Sequence, residues 1–199
     1  IPWSEFANLK DDKLLNDQFN LETPSIIVYR YIAFNTNNPK LEDKRVRKAL
    51  DHLFDRDQIY NTVYYGNKNP VVGPIHPSKP YYNKGLKIRS FDVEKAKSLL
   101  KEAGWEDTDN NGIVDKMIDG EKVGMEFELI YASNYTDYVG LTNIFKGQAI
   151  KAGVKINTKT MNSQAYTAAY RARNFDAMIN SSLWYPINKD LYSRCHTNG

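Results

Sequence analysis

The sequence predicts an α/β fold in which a mixed sheet and its flanking helices share one core. Two patterns carry this prediction. Segments with the composition or alternation of β-strands follow one another along the chain with segments of helical periodicity between them, and most helical segments have a recognisable cap at one end. With 199 residues, of which 41% are hydrophobic, the chain is long enough to bury the core of one domain or one large lobe.

The clearest strand and helix lie near the start of the chain. Residues 29–34, YRYIAF, are rich in aromatic and β-branched residues and stop at a cluster of Asn, Thr and Pro, which predicts a strand that ends in a loop. Asp55 is placed to cap a later helix, with Gln58 as its capping-box partner, and Gly66 suits the left-handed residue after that helix. Between this strand and Asp55, an apolar stripe predicts a further helix: Val46, Ala49, Leu50, Leu53 and Phe54.

The second half of the chain repeats this alternation. A helix capped by Asp92 and ended by Gly104 precedes residues 123–131, where apolar and polar residues alternate and predict one strand with a single buried face. A helix over about 136–152 and a strand over 154–161 follow. A last helix, capped by Asn162, leads to a strand at 175–179. The inward residues expected in these two helices are Val139, Leu141, Phe145, Ala149 and Ala152, and then Ala165, Ala168, Ala169 and Ala172.

Residues 1–24 are expected to be a connector, with one short helix over 4–10 and a polar stretch up to Pro24. Residues 25–199 are then expected to form a single α/β lobe. Both ends of the sequence read as interior sequence, which indicates a piece of a longer protein.

Composition excludes several classes of protein. The 27 basic and 24 acidic residues give a net charge of only +3 and are interspersed, which argues against nucleic-acid binding. No apolar run approaches the roughly 18 residues that indicate a membrane span. The single cysteine, Cys195, cannot form an internal disulfide and is interpreted as an inert thiol.

An acidic turn between residues 107 and 115 has two interpretations. Its acidic, amide and glycine residues occupy positions 1, 3, 5, 6 and 9 of a calcium loop: Asp107, Asp109, Asn111, Gly112 and Asp115. Position 12, however, is Ile118, where a calcium loop needs a bidentate Glu. The other interpretation is an ordinary turn of Asx residues and glycine that leads into a hairpin at Asp119 and Gly120. We expect no cofactor, with a structural calcium ion here as the alternative.

The order of these motifs resembles a known family. The strand ending in AFNT, the VRKAL helix, the DR turn and the later VEKAKSLLKEAGW helix are similar to the solute-binding proteins of peptide- and nickel-type ABC importers, the oligopeptide-binding protein family. The resemblance implies a two-lobed, periplasmic-binding-protein-like fold of class II, peptide-binding cluster, of which this chain is most of the second lobe. It also implies a periplasmic or cell-surface receptor, with a membrane-anchored lipoprotein as one form, that is not an enzyme and delivers oligopeptides or dipeptides to permease subunits.

The ligand site is expected beyond the carboxyl end of the last strand, because open α/β sheets bind ligands there. The resemblance places Asp190 against the ammonium of a bound peptide, with Trp184 and Tyr185 as an apolar wall. Backbone near Asn180 and Ser181 would pair with peptide amides as an added strand does. Further candidates for the same cleft bring the set to Trp184, Tyr185, Asp190, Ser181, Asn180, Tyr31 and Asn35.

Other functions remain as alternatives. The acidic turn and the abundance of tyrosine also suit a calcium-stabilised carbohydrate-interaction or hydrolase accessory module. Within the resembled family, an oligosaccharide or a metal chelate is an alternative ligand. Catalysis is not expected, because the sequence contains no HExxH, GxSxG or glycine-rich phosphate loop.

Overall fold

The computed structural model describes residues 3–20, 28–67, 70–75, 77, 79–80 and 82–183. The helices are α1 (Trp3–Leu9), α2 (Lys13–Gln18), α3 (Lys44–His52), α4 (Arg56–Thr62), α5 (Val93–Glu102), α6 (Asp137–Ala149) and α7 (Ser163–Ala172). The strands are β1 (Val28–Phe34), β2 (Asp115–Ile118), β3 (Glu121–Gly124), β4 (Glu126–Ala132), β5 (Lys155–Met161) and β6 (Ala177–Leu183). A 3-10 turn, Ile150–Ala152, extends α6. None of the described helices is long and apolar enough to cross a membrane.

Four strands form a mixed sheet in the order β1-β6-β4-β5. β4 runs parallel to both β5 and β6, whereas β1 is antiparallel to β6, with Val28 opposite Leu183 and Phe34 opposite Ala177. The carboxyl ends of β4, β5 and β6 therefore lie at one edge of the sheet, where β1 begins. This architecture confirms the predicted mixed sheet with flanking helices.

Both faces of the sheet are covered. The main core lies on the face that carries α3, α5 and α6, where Phe127, Leu129 and Phe145 are at most 2% exposed. On the other face α7 packs on Ile130 and Met178, which with Ala169 form a second cluster. Burial on both faces is usual for parallel strands, and it divides the residues of β4 between two cores.

The expectation of one strand over 123–131 with a single buried face is wrong. β3 pairs with β2 in a hairpin, β4 joins the main sheet, and Met125 lies between them with its backbone N–H 2.7 Å from the Val114 carbonyl. The hairpin turns at Asp119 and Gly120, both with positive φ, as predicted. Ile130, which the alternation pattern left outside the apolar face, is buried because α7 covers that side of β4.

The predicted side-chain caps at the helix starts are confirmed, but the Gln58 side chain accepts from Gln148 over 2.9 Å, and no capping-box bond to the Asp55 N–H is described. The Asp55, Asp92 and Asn162 side chains accept hydrogen bonds from the backbone N–H groups of residues three positions later, over 2.8–2.9 Å. Gly66 and Gly104 adopt positive φ after their helices. Local rules predict these features because a cap involves only neighbours in sequence.

Two predicted helix faces are shifted. In α6, Val139 is 50% exposed, while Tyr138 and Thr142 are buried beside Leu141 and Phe145. In α7 the alanine face is also incomplete, because Ala169 is buried while Ala168 and Ala172 are exposed. In the connector, α2 forms within the stretch expected to be irregular, and the predicted boundary at residue 24 falls outside the described residues.

We expect Gly153→Ala to destabilise the protein by about 2 kcal/mol, since left-handed backbone and a steric clash both oppose a side chain there. Gly153 has φ +74°, and an added Cβ would lie 2.8 Å from Val114 Cγ1. The control is Gly147→Ala in α6, where a Cβ meets nothing within 4 Å and should stabilise the helix by about 0.5 kcal/mol. Chemical denaturation measures both, and equal effects of the two substitutions would contradict this account.

We expect Asp51→Asn to lower the free energy of unfolding at neutral pH. We also expect this variant to lose less stability than the parent protein when the pH falls. Burial alone would raise the pKa of Asp51, but hydrogen bonds from Arg56 and Arg89 outweigh it and lower the pKa. This contribution, about 1 kcal/mol for a partly exposed pair, is present above the unfolded-state pKa of roughly 3.9 and disappears as pH falls through the lower folded-state value. Melting curves between pH 7 and pH 2 test this, with the exposed Asp11→Asn as control; identical acid profiles for parent and Asp51→Asn would refute it.

Candidate ligand-binding site

The sheet opens at its carboxyl edge between β4 and β6. The described register of these strands covers only Leu129 with Ala177 and Ile130 with Met178, whereas β4 stays paired with β5 as far as Ala132. β4 and β6 therefore separate beyond Met178. A concavity of about 220 Å³ lies at this separation, at the edge where open α/β sheets bind ligands.

Three parts of the chain supply the lining of this concavity. They are the end of β4 with the first turn of α6, the first turn of α7, and the second half of β6. The lining residues are Ala132, Asn134, Tyr135, Tyr138, Ser163, Tyr166, Thr167, Ile179, Asn180 and Ser181. None of these described side chains is charged, so the lining offers aromatic surface together with neutral hydrogen-bonding groups.

The structure brings three of the predicted site residues together. Asn180 and Ser181 line the concavity, and Tyr31 lies opposite Asn180 in the pairing of β1 with β6. The Tyr31 ring stacks on that of Tyr29, with the ring centroids 5.2 Å apart. Trp184, Tyr185 and Asp190 lie outside the described residues, so their contact with a ligand remains a prediction.

Asn35 follows the end of β1 at the opposite edge of the sheet, so the structure does not bring it to this concavity, and its contact with a ligand remains a prediction. Its side-chain amide donates to the carbonyls of Arg173 and Phe175, and its backbone N–H donates to Asp176, so it anchors the entry into β6. A larger hollow of about 380 Å³ adjoins it. That hollow lies at the amino ends of the parallel strands, and we favour the carboxyl edge because the strands separate there.

Three tyrosines of the concavity were not predicted. Tyr166 donates its hydroxyl to the Ile179 carbonyl over 2.7 Å, and burial raises the pKa of this phenol. Burial also raises the pKa of Tyr138, to about 12, against the opposing effect of the Arg30 cation. Both phenols are therefore protonated at neutral pH. For Tyr135 and Tyr138 a sequence signal was available in residues 134–138, NYTDY, which begin three residues after the predicted strand end, since such loops form the ligand edge.

Fewer backbone groups of β6 are available to pair with a peptide than the sequence suggested. β6 is an inner strand, and beyond Met178 only its side facing β4 is released. The Ser181 N–H already donates to Asn180 Oδ1 over 2.8 Å. A peptide that pairs with this N–H must therefore displace the Asn180 side chain.

The acidic turn is a separate feature of the structure. Carboxylate oxygens of Asp107, Asp109 and Asp115 lie within 4.8 Å of one another. Lys122 Nζ is 2.5 Å from Asp109 and 3.6 Å from Asp115, while Thr108 donates twice to Asp115. The Lys122 ammonium balances part of this negative charge, and a structural calcium ion stays the alternative to the expected turn without a cofactor.

We expect Tyr166→Phe to destabilise the protein by about 1 kcal/mol, because the Ile179 carbonyl loses its hydrogen bond inside the opening. Amide hydrogen exchange in the second half of β6 should become faster. Tyr170→Phe on the same helix, where the side chain is 51% exposed, is the matched control. Unchanged stability and exchange in Tyr166→Phe would show that this bond does not hold β6 in place.

Comparison with known proteins gives a family match over nearly the whole chain. Residues 1–196 match the model for the bacterial extracellular solute-binding proteins, family 5 middle region. The oligopeptide-binding protein AppA of Bacillus subtilis (strain 168) is 30% identical over 170 residues, which cover 82% of this chain and 31% of that protein. The dipeptide-binding protein of Escherichia coli (strain K12) is 36% identical over 103 residues, or 52% of this chain and 18% of that protein.

Solved structures agree with this match. The B. subtilis AppA structure in complex with a nonapeptide superposes with a TM-score of 0.85 at 26% identity, covering 100% of this chain and 38% of that one. NikA from Brucella suis in complex with Fe(III)-EDTA gives a TM-score of 0.79 at 28% identity, covering 94% and 36%. The chain thus spans about a third of the length of these proteins. The B. subtilis and E. coli relatives are binding proteins, in agreement with the expected non-enzymatic class. The chain belongs to family 5 of the bacterial extracellular solute-binding proteins.

Proposed function

We propose that this chain is part of the substrate-binding component of an ABC importer and binds oligopeptides or dipeptides at the carboxyl edge of its sheet. The observation that carries the proposal is the opening between β4 and β6, lined by tyrosines and neutral polar groups, in a chain of the solute-binding family. An opening of this kind gives a ligand access to backbone groups of a sheet, which is how extended peptides are commonly held.

The chemistry of a peptide fits this lining. Burying a peptide costs several kcal/mol unless its amides and terminal charges find partners. The protonated phenols and the Asn180 amide suit the neutral amide groups of a ligand. For the charged ammonium we propose Asp190, with Trp184 and Tyr185 as the apolar wall, in keeping with the family resemblance.

The complete receptor would enclose the ligand between two lobes. This chain spans about a third of its relatives, so the first lobe of the same protein is a required partner in the proposal. Closure by hinge motion would bury the ligand and create the surface that permease subunits recognise. A periplasmic or cell-surface location, with a lipid anchor as one form, follows from the same proposal.

A metal chelate is the second candidate ligand. The observation that favours it is the similarity to NikA from B. suis, a structure in complex with Fe(III)-EDTA. An uncharged, tyrosine-rich lining accepts a chelate or an oligosaccharide through the same hydrogen bonds. The calcium-stabilised accessory module is not pursued, because the match to the solute-binding family covers residues 1–196.

The test uses the full-length protein that contains this chain. Native mass spectrometry identifies any ligand that co-purifies, and melting curves compare trialanine, a random nonapeptide pool, a nickel–histidine chelate and mannohexaose. A bound ligand raises the melting temperature according to its concentration relative to its Kd. We expect the peptides to raise the melting temperature most. If only the chelate or only the sugar raised it, that ligand and not peptide would be the substrate class.

Asn180→Ala should weaken peptide binding about tenfold, because in this proposal the Asn180 amide leaves the Ser181 N–H when a peptide binds and forms a hydrogen bond with the peptide instead. The control is Asn35→Ala at the opposite edge of the sheet, which should lower stability but leave peptide affinity within about twofold of the parent. If instead Asn35→Ala weakened peptide binding and Asn180→Ala left it unchanged, the peptide site would lie in the larger hollow beside Asn35.

A further inference from the structure

Arg30 lies beside the candidate site without lining it. On β1 it is opposite Ser181 of β6, so its side chain starts from the carboxyl edge of the sheet. Its guanidinium forms an ion pair with Asp137, the first residue of α6, and lies 3.4 Å from the Tyr64 hydroxyl. The side chains of Arg30 and Asp137 are 28% and 17% exposed, so the pair is largely shielded from water.

The same guanidinium contacts two aromatic rings of the site. Its central carbon is 5.0 Å from the centroid of the Tyr138 ring and 5.4 Å from that of Tyr135. The two rings are 4.9 Å apart, and both line the concavity. At these distances the cation is attracted to each ring face, so one side chain holds both tyrosines.

The start of α6 also depends on this contact. Helices α3, α4, α5 and α7 are capped by the side chains of Asp43, Asp55, Asp92 and Asn162. At α6, by contrast, Thr136 makes no side-chain cap hydrogen bond. The ion pair of Arg30 with Asp137 therefore ties the first turn of α6 to β1, and that turn carries Tyr138, with Tyr135 just before it.

We propose that Arg30 is a positioning residue for ligand binding, which fixes the pair Tyr135 and Tyr138 in the orientation that a ligand meets. The inference rests on the proposed function, since it concerns the same site. A planar guanidinium can bind a carboxylate at its edge and a ring on its face at once, which an ammonium cannot. Arg30 thus sets the geometry of the site while its own charge is matched by Asp137.

The experiment uses the full-length protein with Arg30→Met. The matched control is Arg56→Met, because Arg56 also pairs with an aspartate, Asp51, and lies 5.3 Å from the ring centroid of Phe54, away from the concavity. Two readouts are compared: the tyrosine band in near-ultraviolet circular dichroism, and the Kd of a fluorescein-labelled random nonapeptide pool measured by anisotropy.

We expect Arg30→Met to change the tyrosine band and to weaken peptide binding about tenfold, because a less ordered site binds more weakly. Arg56→Met should lower the melting temperature while leaving Kd within about twofold of the parent. If Arg30→Met does not fold, Arg30→Lys serves as the test variant. It should change the tyrosine band less and weaken peptide binding about threefold, since the charge stays but the planar contact is lost.

The proposal is overturned if the folded Arg30 variant keeps the tyrosine band and the Kd of the parent, or if Arg56→Met weakens binding as much. Failure of the proposed function gives a different pattern. In that case neither the parent nor Asn180→Ala binds the peptide pool, while the tyrosine band still responds to Arg30→Met and not to Arg56→Met, and the positioning role of Arg30 stands.

Discussion

The pairing of β1 with β6 is the constraint on which the rest of this structure depends. These strands lie about 150 residues apart in the chain, yet they are in register over the full length of β1, from Val28 to Phe34. The pairing holds β6 on one side while β4 releases it on the other. A slip of one residue would move Arg30 and Tyr31 each to the face of the sheet that the other now occupies, which would abolish both the contact with Asp137 and the position of Tyr31 beside Asn180.

The two covered faces explain why the site forms at this edge. α6 starts after β4 on the face of the main core, and α7 starts after β5 on the other face. Their first turns therefore flank the opening from both sides. Tyr138 enters it from α6, and Tyr166 enters it from α7 and bonds to the Ile179 carbonyl. The opening is a consequence of where the helices begin, and its tyrosines come from parts of the chain that no local pattern connects.

The sequence predicted what local interactions determine. The α3 stripe and the caps at Asp55, Asp92 and Asn162 depend on neighbours within one or two turns, and all are present. Val139 was assigned inward because it is apolar, but the packing of α6 buries the aromatic Tyr138 one position earlier. The break at Met125 was missed because the alternation of apolar and polar residues runs through it from Val123 to Tyr131, and only the pairing of β3 with β2 and of β4 with the main sheet separates the two strands.

The candidate site was predicted only in part, because the sequence identifies where strands end but not the direction in which each strand runs in the sheet. Asn180 and Ser181 followed from a rule about strand ends, which needs only the position of one strand. Asn35 also follows a strand, but β1 is antiparallel to β6, so its end lies at the opposite edge. Strand direction within a sheet is a tertiary property that a single segment does not encode. Tyr135 and Tyr138, by contrast, follow the end of β4 at the correct edge, where the same rule about strand ends points to them.

We infer that two different parts of the chain recognise the neutral groups and the charged groups of a ligand. The described lining carries no charged side chain, its buried phenols are protonated, and the nearby Arg30 is matched by Asp137. Such a surface recognises amides, hydroxyls and rings, and it discriminates little between ligands of different charge. Recognition of a charged terminus must therefore come from residues outside this lining, and Asp190 is our proposal for that role. A neutral edge combined with a charged residue from outside it would allow one fold to hold different solutes.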